Sequence, residues 1–129
     1  MLDLDLLPEE YAVCRLPAGS PMPASLGNGP DDKTVISLSW TSEELSIICP
    51  ADRVPPDAIA DTAWRCLRVV GPFDLALTGV LASLIGPLAD ARVNIVTFST
   101  YTTDYLLVPT VRLTEAVDTL TKAGHRISS

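Results

Sequence analysis

The sequence is poor in most of what marks an enzyme or a nucleic-acid binder. It holds one histidine, three cysteines and few aromatics among 129 residues. Nine Lys/Arg stand against sixteen Asp/Glu, for a net charge of −7. A chain of that sign lacks the basic face needed to displace phosphate counterions, which excludes an electrostatic nucleic-acid surface. Cys14, Cys49 and Cys66 are odd in number, show no Cys-x-x-Cys spacing and each lie in an apolar run. They read as buried, reduced thiols rather than metal ligands or disulfide partners. His125, near the C-terminal end, has no evident nucleophile to pair with, and no Gly-rich phosphate loop or Ser/His/Asp order occurs. Cys49, His125 and the adjacent Glu43 and Glu44 are the best catalytic candidates, and they form no constellation. The expectation is a protein that is not an enzyme and carries no cofactor or metal. The acidic start MLDLDLLPEE lacks the basic region of a secretory signal. No uncharged stretch exceeds 15 residues, the length of 75–89, short of the roughly 20 needed to cross a bilayer. A cytoplasmic protein without a membrane partner is expected.

What is present is apolar patterning. Hydrophobic residues make up 47% of the chain, enough for a packed core. The charge is uneven: residues 1–63 carry 11 acids and 3 bases, residues 64–129 carry 5 acids and 6 bases. Leu2, Leu4 and Leu6 alternate with Asp3 and Asp5, a strand with one wet face, and 11–16 is a second short strand. Four prolines and three glycines in 17–30 limit any helix there to a turn or two, with the most mobile loop at 26–33. Residues 35–40 and 45–49 read as a hairpin turning at 41–44. Pro55 and Pro56 mark a boundary between halves, giving modules at 1–60 and 61–129.

The second half is more regular. Residues 64–70 form a strand, and 78–91 a helix with Leu81, Leu84, Ile85 and Leu88 on one stripe and Pro87 bending it near Ser83. Residues 93–99 and 104–108 are strands about a polar turn. Leu113, Ala116, Val117 and Leu120 place an amphipathic helix at 111–123, capped by Gly124, and 125–128 gives a last edge strand. Trp40 and Trp64 are expected in the core or between modules. The order βαββαβ is the ferredoxin-like split unit. The hairpin 39–50 resembles 98–109 at an offset of 59, which suggests an internal duplication whose first copy has lost most of both helices. The fold class is therefore α+β, two ferredoxin-like modules in tandem, the first with degenerate helices. A sheet so thinly covered needs another half or another subunit to bury its apolar face.

Gly79-Val80 entering the helix, the run Gly86-Pro87-Leu88-Ala89 and the turn Ser99-Thr100-Tyr101 to Asp104-Tyr105 carry a family resemblance. Together with SEELSIICP and WRCLRVVGP they resemble the tandem ACT-domain proteins, small bacterial and fungal proteins related to the CASTOR-type cytosolic arginine sensors. The resemblance covers nearly all of 10–127. It implies regulatory modules that bind amino acids at module interfaces, and a homodimer that restores the four modules of the sensors. By position it implies ligand-binding roles for Thr78 and Gly79 before the helix, Asn94 and Ile95 at the strand start, and Thr100, Tyr101, Thr102, Thr103 and Asp104 in the turn. Where many ACT modules carry glycine at the helix-to-strand turn, this chain has Arg92.

The chemistry of those residues suits a free amino acid, arginine or another polar one. Free N–H groups at the helix start beside Gly79 suit a carboxylate, and Asp104 suits an ammonium or guanidinium. The same Thr and Asp residues are also ordinary turn formers, Thr78 is also a helix cap, and Tyr101 and Tyr105 also pack at core edges. The rival reading is therefore a structural or protein-interaction module with no small-molecule ligand.

Overall fold

The structure, a computed structural model, describes residues 2–70 and 79–129. It contains seven strands and two α-helices among the described residues: β1 Asp3–Pro17, β2 Ser37–Trp40, β3 Glu44–Pro50, β4 Ile59–Val69, α1 Val80–Asp90, β5 Val96–Ser99, β6 Asp104–Pro109, α2 Leu113–Lys122 and β7 Arg126–Ser128. The chain divides into two compact units, Pro8–Trp64 and Met1–Leu7 with Arg65–Ser129. No helix among the described residues is long and apolar enough to cross a membrane.

In the C-terminal unit the strand order is β7-β1-β4-β6-β5. The element order β4-α1-β5-β6-α2-β7 is the expected βαββαβ, with one addition: Asp3–Asp5 of β1 lie between β7 and β4. The wet face of the Leu/Asp alternation explains the insertion. Asp3 pairs with Arg126 at 2.8 Å and Asp5 with Arg68 at 2.6 Å, so the acids at the start of the chain meet bases from the second half. Val70 N–H donates to the Asp3 carbonyl at 2.8 Å and the Arg65 guanidinium to Leu7 O at 3.1 Å, so β1 and β4 run in opposite directions here. Leu4, Leu67, Leu84, Leu88, Leu106 and Leu120 are fully enclosed at the centre of the core, each worth roughly 2 kcal/mol in removed apolar surface.

Pro87 withdraws the amide that would serve the Ser83 carbonyl. His125 takes its place: Nε2 donates to Ser83 O at 3.0 Å, and Nδ1 accepts the Leu2 N–H at 3.1 Å. The side chain is only 5% exposed, and this pair of bonds fixes the tautomer. Gly124 closes α2 at φ 100°, the left-handed residue its position anticipates.

In the N-terminal unit the order is β2-β3-β1-β4, over a core of Cys14, Leu16, Leu26, Leu45, Ile47 and Cys49. The strands expected separately at 2–6 and 11–16 are one element. Pro8 falls between the β1 residues paired with β7 (3–5) and those paired with β3 (11–17), where neither ladder needs its missing N–H. The Pro/Gly segment makes only the 3₁₀ turn Ala24–Leu26. The loop expected to be most mobile is held by Arg53, whose guanidinium donates to the carbonyls of Leu26 and Gly29 and pairs with Asp31. Trp40 is not a core residue: it stands at the end of a sheet-edge strand and is 56% exposed.

Three features repeat at the offset of 59. β2 corresponds to β5 residue for residue, and the 3₁₀ turn Ala51–Arg53 to the 3₁₀ turn Thr110–Arg112. Thr41 N–H bonds Glu44 O at 3.0 Å, as Thr100 N–H bonds Thr103 O at 2.9 Å.

Candidate functional site

The candidate residues of the C-terminal unit fall at two ends of the β5–β6 hairpin. Ser99 opposes Asp104 across the turn, and Val96 opposes Leu107 at the other end. Thr100, Tyr101, Thr102, Thr103 and Asp104 therefore form one cluster. Asn94 and Ile95 precede β5 at the far end, Asn94 exposed and Ile95 packed against the core. Six residue steps lead from Asn94 to Thr100, roughly 20 Å at ~3.4 Å per extended residue. Within one chain a free amino acid does not span that distance.

The turn is closed by its own polar groups. Thr100 uses both its N–H and its hydroxyl on the Thr103 carbonyl. Thr103, 7% exposed, turns inward and donates its hydroxyl to Val69 O at 2.5 Å, tying the turn to the end of β4. The Asp104 carboxylate accepts the Ser99 hydroxyl at 2.5 Å. Ser99, Thr100, Tyr101 and Thr102 face solvent, Tyr101 at 83% exposed. Tyr101 thus lines no core edge, whereas Tyr105 stacks on Phe98 with ring centroids 5.0 Å apart. Burial raises the Tyr105 phenol above its ordinary range.

Gly79 sits at the N-cap of α1 with φ 83°, exposed, its carbonyl accepting from Ser83 N–H at 3.0 Å. That backbone conformation suits glycine alone. No side chain caps the helix among the described residues, so its first-turn N–H groups present the positive end of the helix dipole. Thr78 lies outside the described residues. Arg92 has φ 61°: the turn keeps the left-handed conformation although the side chain is not glycine. The partner the sequence reading missed is Ser99. Its placement directly opposite Asp104 across a four-residue loop was the available signal.

The cysteines form no centre. All three are buried and free, and burial pushes the Cys49 and Cys66 thiols up to about 12. Among the described residues no group of three His, Cys, Asp or Glu side chains is placed to hold a metal.

Comparison with known proteins follows these boundaries. A family model described as the ACT domain matches residues 59–122, from the first residue of β4 to the last of α2. A second model, described as an N-terminal domain, matches residues 9–57. The solved structure of protein Atu0741 from Agobacterium tumefaciens is 36% identical, covers 98% of this chain and 91% of its own, and superposes with a TM-score of 0.86. The human protein CASTOR3P is 34% identical over 85 residues, 56% of this chain and 52% of that protein. The cytosolic arginine sensor for mTORC1 subunit 1 of Bos taurus is 30% identical over 97 residues, 67% of this chain and 30% of that protein. The chain thus spans about half the length of the first of these curated relatives and under a third of the second. On the matched ACT segment and the likeness of the whole chain to Atu0741, this protein belongs to the ACT-domain proteins, with a distinct N-terminal domain and a distant relationship to the CASTOR arginine sensors.

Proposed function

We propose that the chain is a regulatory, cytoplasmic, non-catalytic protein that binds a free amino acid at an interface between ACT modules. Its modules are 1–60 and 61–129, two ferredoxin-like copies of which the first has reduced its helices to turns. The repeat of strand, turn bond and 3₁₀ turn at one offset supports the duplication. ACT-domain proteins are typically regulatory binders of small ligands, and one matched relative is named as an arginine sensor.

The observation that carries the reading is the start of α1, capped by no side chain among the described residues, in the same unit as a turn holding a carboxylate. One offers N–H donors to a carboxylate, the other an acceptor to an ammonium or guanidinium. The ligand is arginine or another polar amino acid. Because Asn94 lies roughly 20 Å along the hairpin from Thr100, a ligand touching both takes Asn94 from a second copy, which a homodimer supplies. An unidentified target protein receives the signal. The second reading, an interaction module without ligand, draws on one observation: Asp104 and Thr103 already have partners in Ser99 and Val69.

A thermal-shift screen of the common amino acids tests the proposal. Binding at 100 times Kd adds about 2.7 kcal/mol, a rise of several degrees. Asp104→Ala should abolish the rise while leaving the unliganded melting temperature within a few degrees. No shift with any amino acid at millimolar concentration selects the second reading.

A further inference from the structure

The N-terminal unit carries a feature that ligand binding in the C-terminal unit does not use. β2 is the terminal strand of its sheet and pairs only with β3 among the described residues. The bond from Thr41 N–H to Glu44 O makes residues 41 and 44 a hydrogen-bonded pair, so by antiparallel alternation the N–H and C=O groups of Ser37 and Ser39 face β3. Those of Leu38 and Trp40 then face outward, and among the described residues nothing pairs with them. The side chains of Leu38 and Trp40 lie on the face of β2 that opposes Ile47 and Leu45 of the core. Beside that edge opens a cavity of about 390 Å³, lined by Met22, Leu26, Ile36 and Leu38 and by the loop Gly27–Pro30. Met22 and Trp40, 54% and 56% exposed, stand at this face of the unit.

We propose that β2 is a strand-addition site for an extended, basic segment of another protein, with one apolar side chain seated in the cavity. Ladder bonds to Leu38 and Trp40 provide affinity, and the cavity reads an alternate side chain, the division of labour in edge-strand recognition. Charge selects the occupant. Pro8–Trp64 carries nine acids and three bases, net −6, with Asp32 and Glu43 exposed on the loops flanking β2. A second copy docking edge to edge brings two such faces together, whereas a Lys- or Arg-bearing strand complements them.

The test uses the full chain and a synthetic probe, acetyl-Lys-Val-Leu-Val-Lys-amide, followed by amide chemical shifts. The expected result is saturable binding with shifts concentrated at 36–40 and 22–30. N-methylation of alternate peptide amides should weaken it at least tenfold in one register and little in the other. Replacing the central Leu by Asp should abolish it, and raising salt from 50 to 300 mM should weaken it several-fold. Equal binding of all probe forms, shifts elsewhere, or no saturation at millimolar probe overturns the proposal, as does a dimer whose interface maps to β2. A negative result leaves the amino-acid screen unaffected, because the two assays report on different units.

Discussion

The hairpin at 37–50 and the hairpin at 96–109 share strand positions, a turn bond of 3.0 against 2.9 Å and a following 3₁₀ turn, yet they are backed by different material. Behind the second stand α1 and α2, which deliver Leu84, Leu88, Ala116 and Leu120 to the core. Behind the first stands a Pro/Gly segment that delivers Leu26. The arginine ending each 3₁₀ turn is used in the same way. Arg112 reaches the carbonyls of Ala91 and Arg92 at the end of α1, and Arg53 reaches those of Leu26 and Gly29. Each arginine thus ties its 3₁₀ turn to a neighbouring segment, a loop in one unit and a helix end in the other. A short turn is satisfied by local bonds, whereas a helix needs a long apolar stripe.

Four measurements break or sharpen this comparison. The largest effect of a substitution near neutral pH belongs to His125→Ala, which leaves Leu2 N–H and Ser83 O unpaired and should cost about 2–4 kcal/mol in urea unfolding. Pro87→Ala restores the helix donor to Ser83 O, so the double variant should lose about 1 kcal/mol less than the two single losses combined.

Next comes alkaline pH. Burial places the Cys49 and Cys66 thiols at about 12 when folded, against roughly 8.5 when unfolded. Their contribution is therefore complete below about pH 8.5 and is lost as pH rises toward 12, at up to about 1.4 kcal/mol per pH unit for each thiol. Cys49→Ala and Cys66→Ala should each flatten that slope by one share in the unit concerned.

Third, Arg53→Ala should destabilise by about 1–2 kcal/mol, and Arg112→Ala by clearly less. The Arg53 side chain is 20% exposed and holds a loop that reaches the core through Leu26; that of Arg112 is 35% exposed and caps a helix packed through Leu84 and Leu88. Equal losses would show the clamps to be interchangeable. The smallest effect is a gain: Arg92→Gly should relieve the left-handed backbone at φ 61° and raise stability by about 0.5–1 kcal/mol.

Much of this was legible in the sequence, for specific reasons. Periodicity located α2, because Ala116 and Leu120 fall on one stripe, and Gly124 gave its end. Repetition at one offset located the paired hairpins. What escaped was decided by distant partners. Residues 2–6 and 11–16 read as two strands, but β1 runs on through Pro8, which falls where β1 changes neighbours. Trp40 looked like core from its type, and its exposure follows from an edge position that only sheet order reveals. In the candidate site the turn was recognisable, while the inward rotation of Thr103 toward Val69 depends on β4, more than thirty residues earlier.

A ligand held between modules of two copies has a fixed stoichiometry, which native mass spectrometry of the full chain reads. With the amino acid that gives the largest thermal shift, the expected species is a homodimer that takes up ligand, and an Asp104→Ala dimer that takes up none. A monomer that binds the same ligand, or a dimer that binds equally well without Asp104, would contradict it.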